Sequence, residues 1–150
     1  MYPDPRVVRV VNDSFVPVRV HVKENAAAFK QLGERYGAQW TPTTLIVDAN
    51  GQERHRIEGF LPADDFLPQL QLGAAHAAFG NGDYQAAIAS FDRILKEHPS
   101  NDAAAEAQYW AGVSRYKATN DPSALKETAR QFGERFQNTP WAKKASVWRG

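Results

Sequence analysis

The spacing of apolar positions changes character near residue 70 of this 150-residue chain. Before it, short β-branched runs alternate with short helical stripes. After it, alanine-rich amphipathic helices run to the end. Asp4-Pro5 predicts a helix start, an acidic cap followed by proline at the first helical position, where a missing N–H costs nothing. Val7, Val8, Val10 and Val11 supply its apolar face through about Asn12. Phe15 to Val22 then alternates with period two. Val16, Val18, Val20 and Val22 fall on one face, which predicts a strand, and Pro17 places that strand at its start or at an edge. Asn25 is expected to cap a helix carrying Phe29, Leu32 and Tyr36, and Gly37 stops it. Thr43 to Asp48 reads as a strand, Asp48-Ala49-Asn50-Gly51 as a turn tolerant of positive φ, and Glu53 to Glu58 as the return strand. Pro62-Ala63-Asp64-Asp65 opens a helix at Phe66 and Leu67.

From there the pattern is helix, break, helix. Gly80-Asn81-Gly82-Asp83-Tyr84 is a tight break. Ala87, Ile88, Phe91, Ile94 and Leu95 share one helix face, and His98-Pro99 ends it. Asn101-Asp102 begins a helix through Trp110 and Tyr116, broken at Asn120-Asp121-Pro122. Another is predicted through Leu125, Phe132 and Phe136, and a last one from Pro140 with Trp141 and Trp148. The organisation predicted is an α/β segment over 1–66 and a helical segment over 67–150.

Composition removes several functions. Hydrophobic content of 43% and charged content of 23% are those of a globular chain. A net charge of +1, with neither half strongly basic, supplies no electrostatic ground for nucleic acid as a partner. No apolar run approaches the ~20 residues that span a bilayer, so no membrane partner is expected. The N-terminus lacks the basic start and apolar core of a signal peptide, which predicts a cytoplasmic chain if Met1 is the natural start. Zero cysteines exclude disulfides, thiolate metal sites and thiol catalysis by this chain. His21, His55, His76 and His98 share no ligand spacing, so no metal site and no cofactor are expected. Asp64-Asp65 reads as helix-start acids, and no serine has a nucleophile-elbow context. No catalytic residue is assigned.

Tyr36-Gly37-Ala38-Gln39-Trp40-Thr41-Pro42-Thr43-Thr44-Leu45-Ile46-Val47-Asp48 resembles the second half of the thioredoxin fold: helix, Thr-Pro, apolar strand, turn. The resemblance covers about residues 2–70. It implies a cis bond before Pro42 and a peptide-facing loop of Trp40, Thr41 and Pro42. It also implies that the chain begins inside the helix that carries the family's Cys-x-x-Cys, leaving out a central strand between Val16–Val22 and Thr43–Asp48. Because unpaired buried N–H and C=O groups are costly, three outcomes are open. The flanking strands pair directly, a second chain fills the gap, or the natural protein carries the upstream half. A small three-stranded sheet, closed up or paired with a partner, is expected.

Gly82-Asp83-Tyr84, Ala87, Phe91, Leu95 and Pro99 resemble the second-helix signature of tetratricopeptide repeats, units of about 34 residues built as antiparallel helix pairs. A looser repeat follows with Gly112, Tyr116 and Ala124, and with Gln137 where the family has proline. The fold class predicted is thus a truncated thioredoxin-like α/β sheet with helices, followed by tetratricopeptide-like helix pairs. The resemblance implies a non-catalytic protein binding a protein or peptide partner. Trp141 and Trp148 on the last helix are the candidate partner surface, because an array ending there leaves an uncapped face. Strand edges or that face predict a homo-oligomer. The alternative is an N-terminally truncated fragment of a thiol-disulfide oxidoreductase whose Cys-x-x-Cys lies upstream of Met1.

Overall fold

A computed structural model describes residues 4–150. The first helix, α1 (Pro5–Ser14), starts where Asp4 Oδ1 accepts from the Arg6 N–H at 2.9 Å. Arg6 also pairs with Asp64 at 2.8 Å, which ties this start to a later helix. After α2 (Ala26–Tyr36) come β1 (Thr43–Val47) and β2 (Glu53–Glu58), an antiparallel pair in register Thr43↔Glu58, Thr44↔Ile57, Leu45↔Arg56 and Ile46↔His55. The register shifts between Ile46 and Val47, so Val47 faces Glu53. The connecting turn is held by Asp48. One carboxylate oxygen accepts from the Asn50 and Gln52 N–H groups at 2.8 and 3.0 Å, and the other takes Arg54 Nε at 2.8 Å. Those bonds, the Gln52 N–H foremost, hold the Asp48 carboxyl below the usual carboxylate range. Gly51 supplies the φ of 77° that closes the turn.

The long helix α3 (Ala63–Gly80) serves both halves. Its first turns set Phe66, Leu67 and Leu70 against Val7, Ile46 and Ile57 in one buried cluster. Its later turns place Leu72 and Ala75 in a second cluster with Ala87, Phe91, Ile94 and Ala103. Position 66/67, where the sequence pattern divides, lies inside this helix. Gly73 lets it lie close on the hairpin, for a Cβ there would stand 1.9 Å from Ile46 Cδ1.

The helical half continues with α4 (Tyr84–Glu97), α5 (Asp102–Thr119), α6 (Ser123–Glu134) and α7 (Pro140–Ala145), then a 3₁₀ turn over Ser146–Arg149. Asp83 caps α4 through the Ala86 N–H, Asn101 caps α5 through the Ala103 N–H, and Thr139 caps α7 through the Ala142 N–H. Small residues let the helices approach. At Gly112 on α5 a Cβ would meet Thr128 Oγ1 of α6 at 2.1 Å.

Three expectations are corrected. The segment Phe15–Val22 forms no strand, and among the described residues the sheet has two strands instead of three. Val16 is 92% exposed and Val18 81% exposed. A lone extended run gains nothing without a ladder neighbour, and Pro17 has no N–H to offer one. Local bonds then fix the end of the segment as a turn. His21 Nδ1 accepts from the Lys23 and Glu24 N–H groups, and Asn25 Oδ1 accepts from the His21 N–H at 3.0 Å. Asn25 is therefore turned away from α2, whose start has no side-chain cap. Second, α6 stops at Glu134, and Phe136 lies beyond it with a left-handed φ of 63°. Its carbonyl instead accepts from the Thr139 hydroxyl at 2.7 Å, which sets up the next cap. Third, Trp148 sits on the 3₁₀ turn and not on α7.

Candidate functional site

The loop Trp40-Thr41-Pro42 joins α2 to the hairpin. Gly37 ends α2 in the left-handed region at φ 64°, and the Ala38 N–H closes back on the Gly33 carbonyl at 2.9 Å. The chain then turns toward β1. The Thr41–Pro42 peptide bond is cis. The Trp40 carbonyl accepts from the Thr43 hydroxyl at 2.5 Å, and the Pro42 carbonyl accepts from the Gly59 N–H at 2.8 Å. Pro42 is thereby fastened across the open end of the hairpin. Trp40, 68% exposed, and Phe60, 71% exposed, stand at that same end. A shallow hollow of about 340 Å³ under Phe29, Gly33 and Gln39 lies beside the loop.

The side chain that holds the loop's stem is Arg56 on β2. Its guanidinium donates to the Tyr36 carbonyl and, at 3.4 Å, to the Gly37 carbonyl, and it pairs with Glu53 at 2.6 Å and Glu58 at 3.0 Å. Those carboxylates push its pKa up. At the other end of the hairpin the Tyr36 hydroxyl donates to the Gly51 carbonyl at 2.8 Å. None of the residues of α2 is buried. These two side chains anchor it. Sequence reasoning missed Arg56 because its targets are carbonyls some 20 residues away, which leave no local signature.

Trp141 and Trp148 do not stand free. The Trp148 ring stacks on Tyr109 of α5 at 4.8 Å, with 25° between planes, and Trp141 meets the same ring at 5.4 Å. They cover a cluster of Ala105, Phe132, Ala142 and Ala145. Burial in this stack raises the Tyr109 pKa. Both tryptophans remain half-buried, with Lys144 Nζ 4.2 Å over the Trp141 ring and Val147 76% exposed beside them. The structure thus joins Trp141 and Trp148 into one aromatic surface and leaves Trp40, Thr41 and Pro42 as another.

Between α4, α5 and α6 runs a cleft of about 380 Å³ walled by Asp92, Arg115, Glu127 and Arg135. Its charges are largely spent on each other or on neighbours: Arg115 holds Asp92 at 2.5 Å, and Glu127 holds Arg130 at 2.7 Å. Among the described residues no cluster of three His, Cys, Asp or Glu side chains could hold a metal ion. His98 caps the end of α4 and His21 caps its own turn, whereas His55 and His76 come together between hairpin and helices.

The helix succession from β2 through α7 decides the relationship. The family model described as outer membrane lipoprotein matches residues 52–145, well over half of the chain. The chain belongs to that family. The model described as thioredoxin-like domain matches residues 2–74, so a thioredoxin-like domain precedes the tetratricopeptide-like part. The two matches overlap over residues 52–74, the stretch of β2 and the first two thirds of α3 that packs against both halves. No curated protein and no solved structure matches the chain. Among the described residues no helix is long and apolar enough to cross a membrane.

Proposed function

We propose that this chain is a non-catalytic scaffold that mediates protein–protein interaction. The observation that carries the reading is the union of a thioredoxin-like and a tetratricopeptide-like part in a sequence with no cysteine. A thiolate is the nucleophile in disulfide exchange, and this chain has none to offer. What such a thioredoxin-like part retains is a surface. The loop Trp40, Thr41, Pro42 presents an exposed aromatic beside a hairpin edge, a place for an extended peptide to add main-chain hydrogen bonds. The helical half supplies a second surface at Trp141 and Trp148, where half-buried aromatics fit the composition of interface anchors. The segments 1–66 and 67–150 act as one unit because α3 is common to both cores. The partner is a protein or peptide; nucleic acid, membrane, metal and cofactor have no part in the reading.

The test is capture of a partner by the wild-type chain against two variants. Trp40→Ala is expected to weaken capture through the first surface, and Trp141→Ala with Trp148→Ala through the second. Undiminished capture by both folded variants rejects both surfaces.

A second reading is favoured by the thioredoxin-like match itself. The chain is then part of a longer thiol-disulfide oxidoreductase whose Cys-x-x-Cys is encoded upstream. The upstream reading frame tests it, and an insulin-reduction assay of the chain as given is expected to stay at the uncatalysed rate. For compartment, the cytoplasm is proposed only for a chain whose natural start is Met1, whereas the name of the matched lipoprotein family favours the cell envelope. Fractionation of cells carrying the tagged natural protein separates the two.

A further inference from the structure

His55 on β2 and His76 on α3, unrelated by spacing, stack ring on ring with centroids 5.8 Å apart and 27° between planes. The His55 Nε2–H donates to Gln69 Oε1 of α3 at 2.7 Å. The His76 Nε2–H donates to Glu106 Oε1 of α5 at 3.3 Å. Phe91 of α4 and Trp110 of α5 set their rings at steep angles to His76, at 5.3 and 5.4 Å. The His76 side chain is 14% exposed and that of Glu106 20% exposed. The pair is therefore enclosed where the hairpin, α3, α4 and α5 converge.

The charged groups facing it are few. Glu106 comes from α5 and Glu53 from β2 itself, and each acts on His55 at longer range. β1 offers Ile46 opposite His55, α4 offers Phe91, and α3 offers the neutral Gln69. Arg54, next to His55, is held by Asp48 and lies over Gly80 of α3. The enclosure disfavours the charged form of His55. Protonating both places two cations about a ring-stack apart with one directly bonded carboxylate, and like charges in a partly desolvated site repel strongly. Burial is the largest influence on His55 and lowers its pKa, with the His76 ring adding to the effect and the Gln69 bond, Glu106 and Glu53 opposing it.

We propose that the His55–His76 stack is a pH-sensitive latch: acidification releases the hairpin from α3 while α4 to α7 stay folded. The sign follows from linkage. On the released hairpin His55 binds a proton near the ordinary histidine value of about 6.5, in the latched form it binds one less readily, and so release grows as pH falls below that value. The proton that His55 takes up on release multiplies the open population by up to about tenfold per pH unit. The hairpin also carries the Trp40–Pro42 loop, so the latch would move the partner-facing surface with it.

Amide hydrogen exchange on the full chain at pH 7.5 and 5.5, corrected for intrinsic chemistry, tests the latch. Thr44, Ile46 and Ile57, which stand in the hydrogen-bonded pairs of the hairpin, are expected to lose severalfold more protection at pH 5.5 than Phe91 of α4 and Ala107 of α5. His55→Gln and His76→Gln are each expected to flatten that difference. Should the His55→Gln hairpin be open already at pH 7.5, the His76→Gln chain decides alone, since it keeps the Gln69 bond and removes the ring stacked on His55. Equal loss of protection in hairpin and helices, or an undiminished hairpin-specific loss in the His76→Gln chain, overturns the proposal.

Discussion

At the scale of single residues, the sharpest constraint is a missing side chain. Gly73 lets α3 lie on the hairpin because nothing there competes with Ile46 Cδ1, 1.9 Å from where a Cβ would be. Gly73→Ala is expected to destabilise the chain by about 1–3 kcal/mol, the usual penalty for overpacking a closed interface. Urea denaturation measures it. Adding Ile46→Val removes the clashing Cδ1 atom and is expected to recover part of the loss. A double variant no better than Gly73→Ala would mean that the close approach is not the cause. Thr139 works by addition: its hydroxyl caps α7 through the Ala142 N–H and at the same time donates to the Phe136 carbonyl. Thr139→Ala is expected to cost about 1 kcal/mol, as N-cap losses do, read as a lower denaturation midpoint. It should also loosen the Trp148–Tyr109 stack, which tryptophan fluorescence reports.

At the scale of elements, what could be read ahead of the structure was whatever is fixed by neighbours in sequence. The Asp4-Pro5 start, the Gly37 stop, the Asp48–Gly51 turn and the break at Gly80–Tyr84 all act within a few residues, and the elements around them formed where those signals stand. Phe15–Val22 carried an equally clear period-two signal and formed no strand, because alternation specifies a face and not a partner. Phe136 fell outside α6, where its carbonyl takes the Thr139 hydroxyl, a bond invisible in periodicity. The same limit hid the parts of the site that work over distance: Arg56 under the loop stem, and His55 with His76. Arg56→Ala tests the first. With its guanidinium gone, the C-terminal turn of α2 loses two carbonyl contacts and the chain 33–41 loses its hold on β2. Limited proteolysis is expected to cut there several times faster, with α3 to α7 unchanged. Equal cutting rates would leave Tyr36 and Gly51 as the sufficient anchor.

At the scale of the whole molecule, α3 is the member that makes one body of two resemblances. It supplies buried side chains to the hairpin cluster and to the first repeat alike. Apolar surface left outside those cores lies in the extended run with Val16 and Val18, at Trp40 with the hairpin's open end, and at Val147 beside the two C-terminal tryptophans. Unprotected apolar run and unpaired strand edge together favour association between chains. Light scattering at micromolar concentration is expected to give a mass above that of a 16.7 kDa monomer, and Val16→Lys with Val18→Lys to restore the monomer. A clean monomer across a wide dilution range would show that neither the edge nor the valines recruit a second copy. The central claim, binding without chemistry, is tested most directly by site-specific photo-crosslinking in cells. A crosslinking amino acid replaces Trp40 in one chain and, as a control, Ala49, exposed at the opposite end of the same hairpin. The account predicts a discrete protein adduct from position 40 and none from position 49. Matching adducts from both positions, or no adduct from position 40, would contradict it.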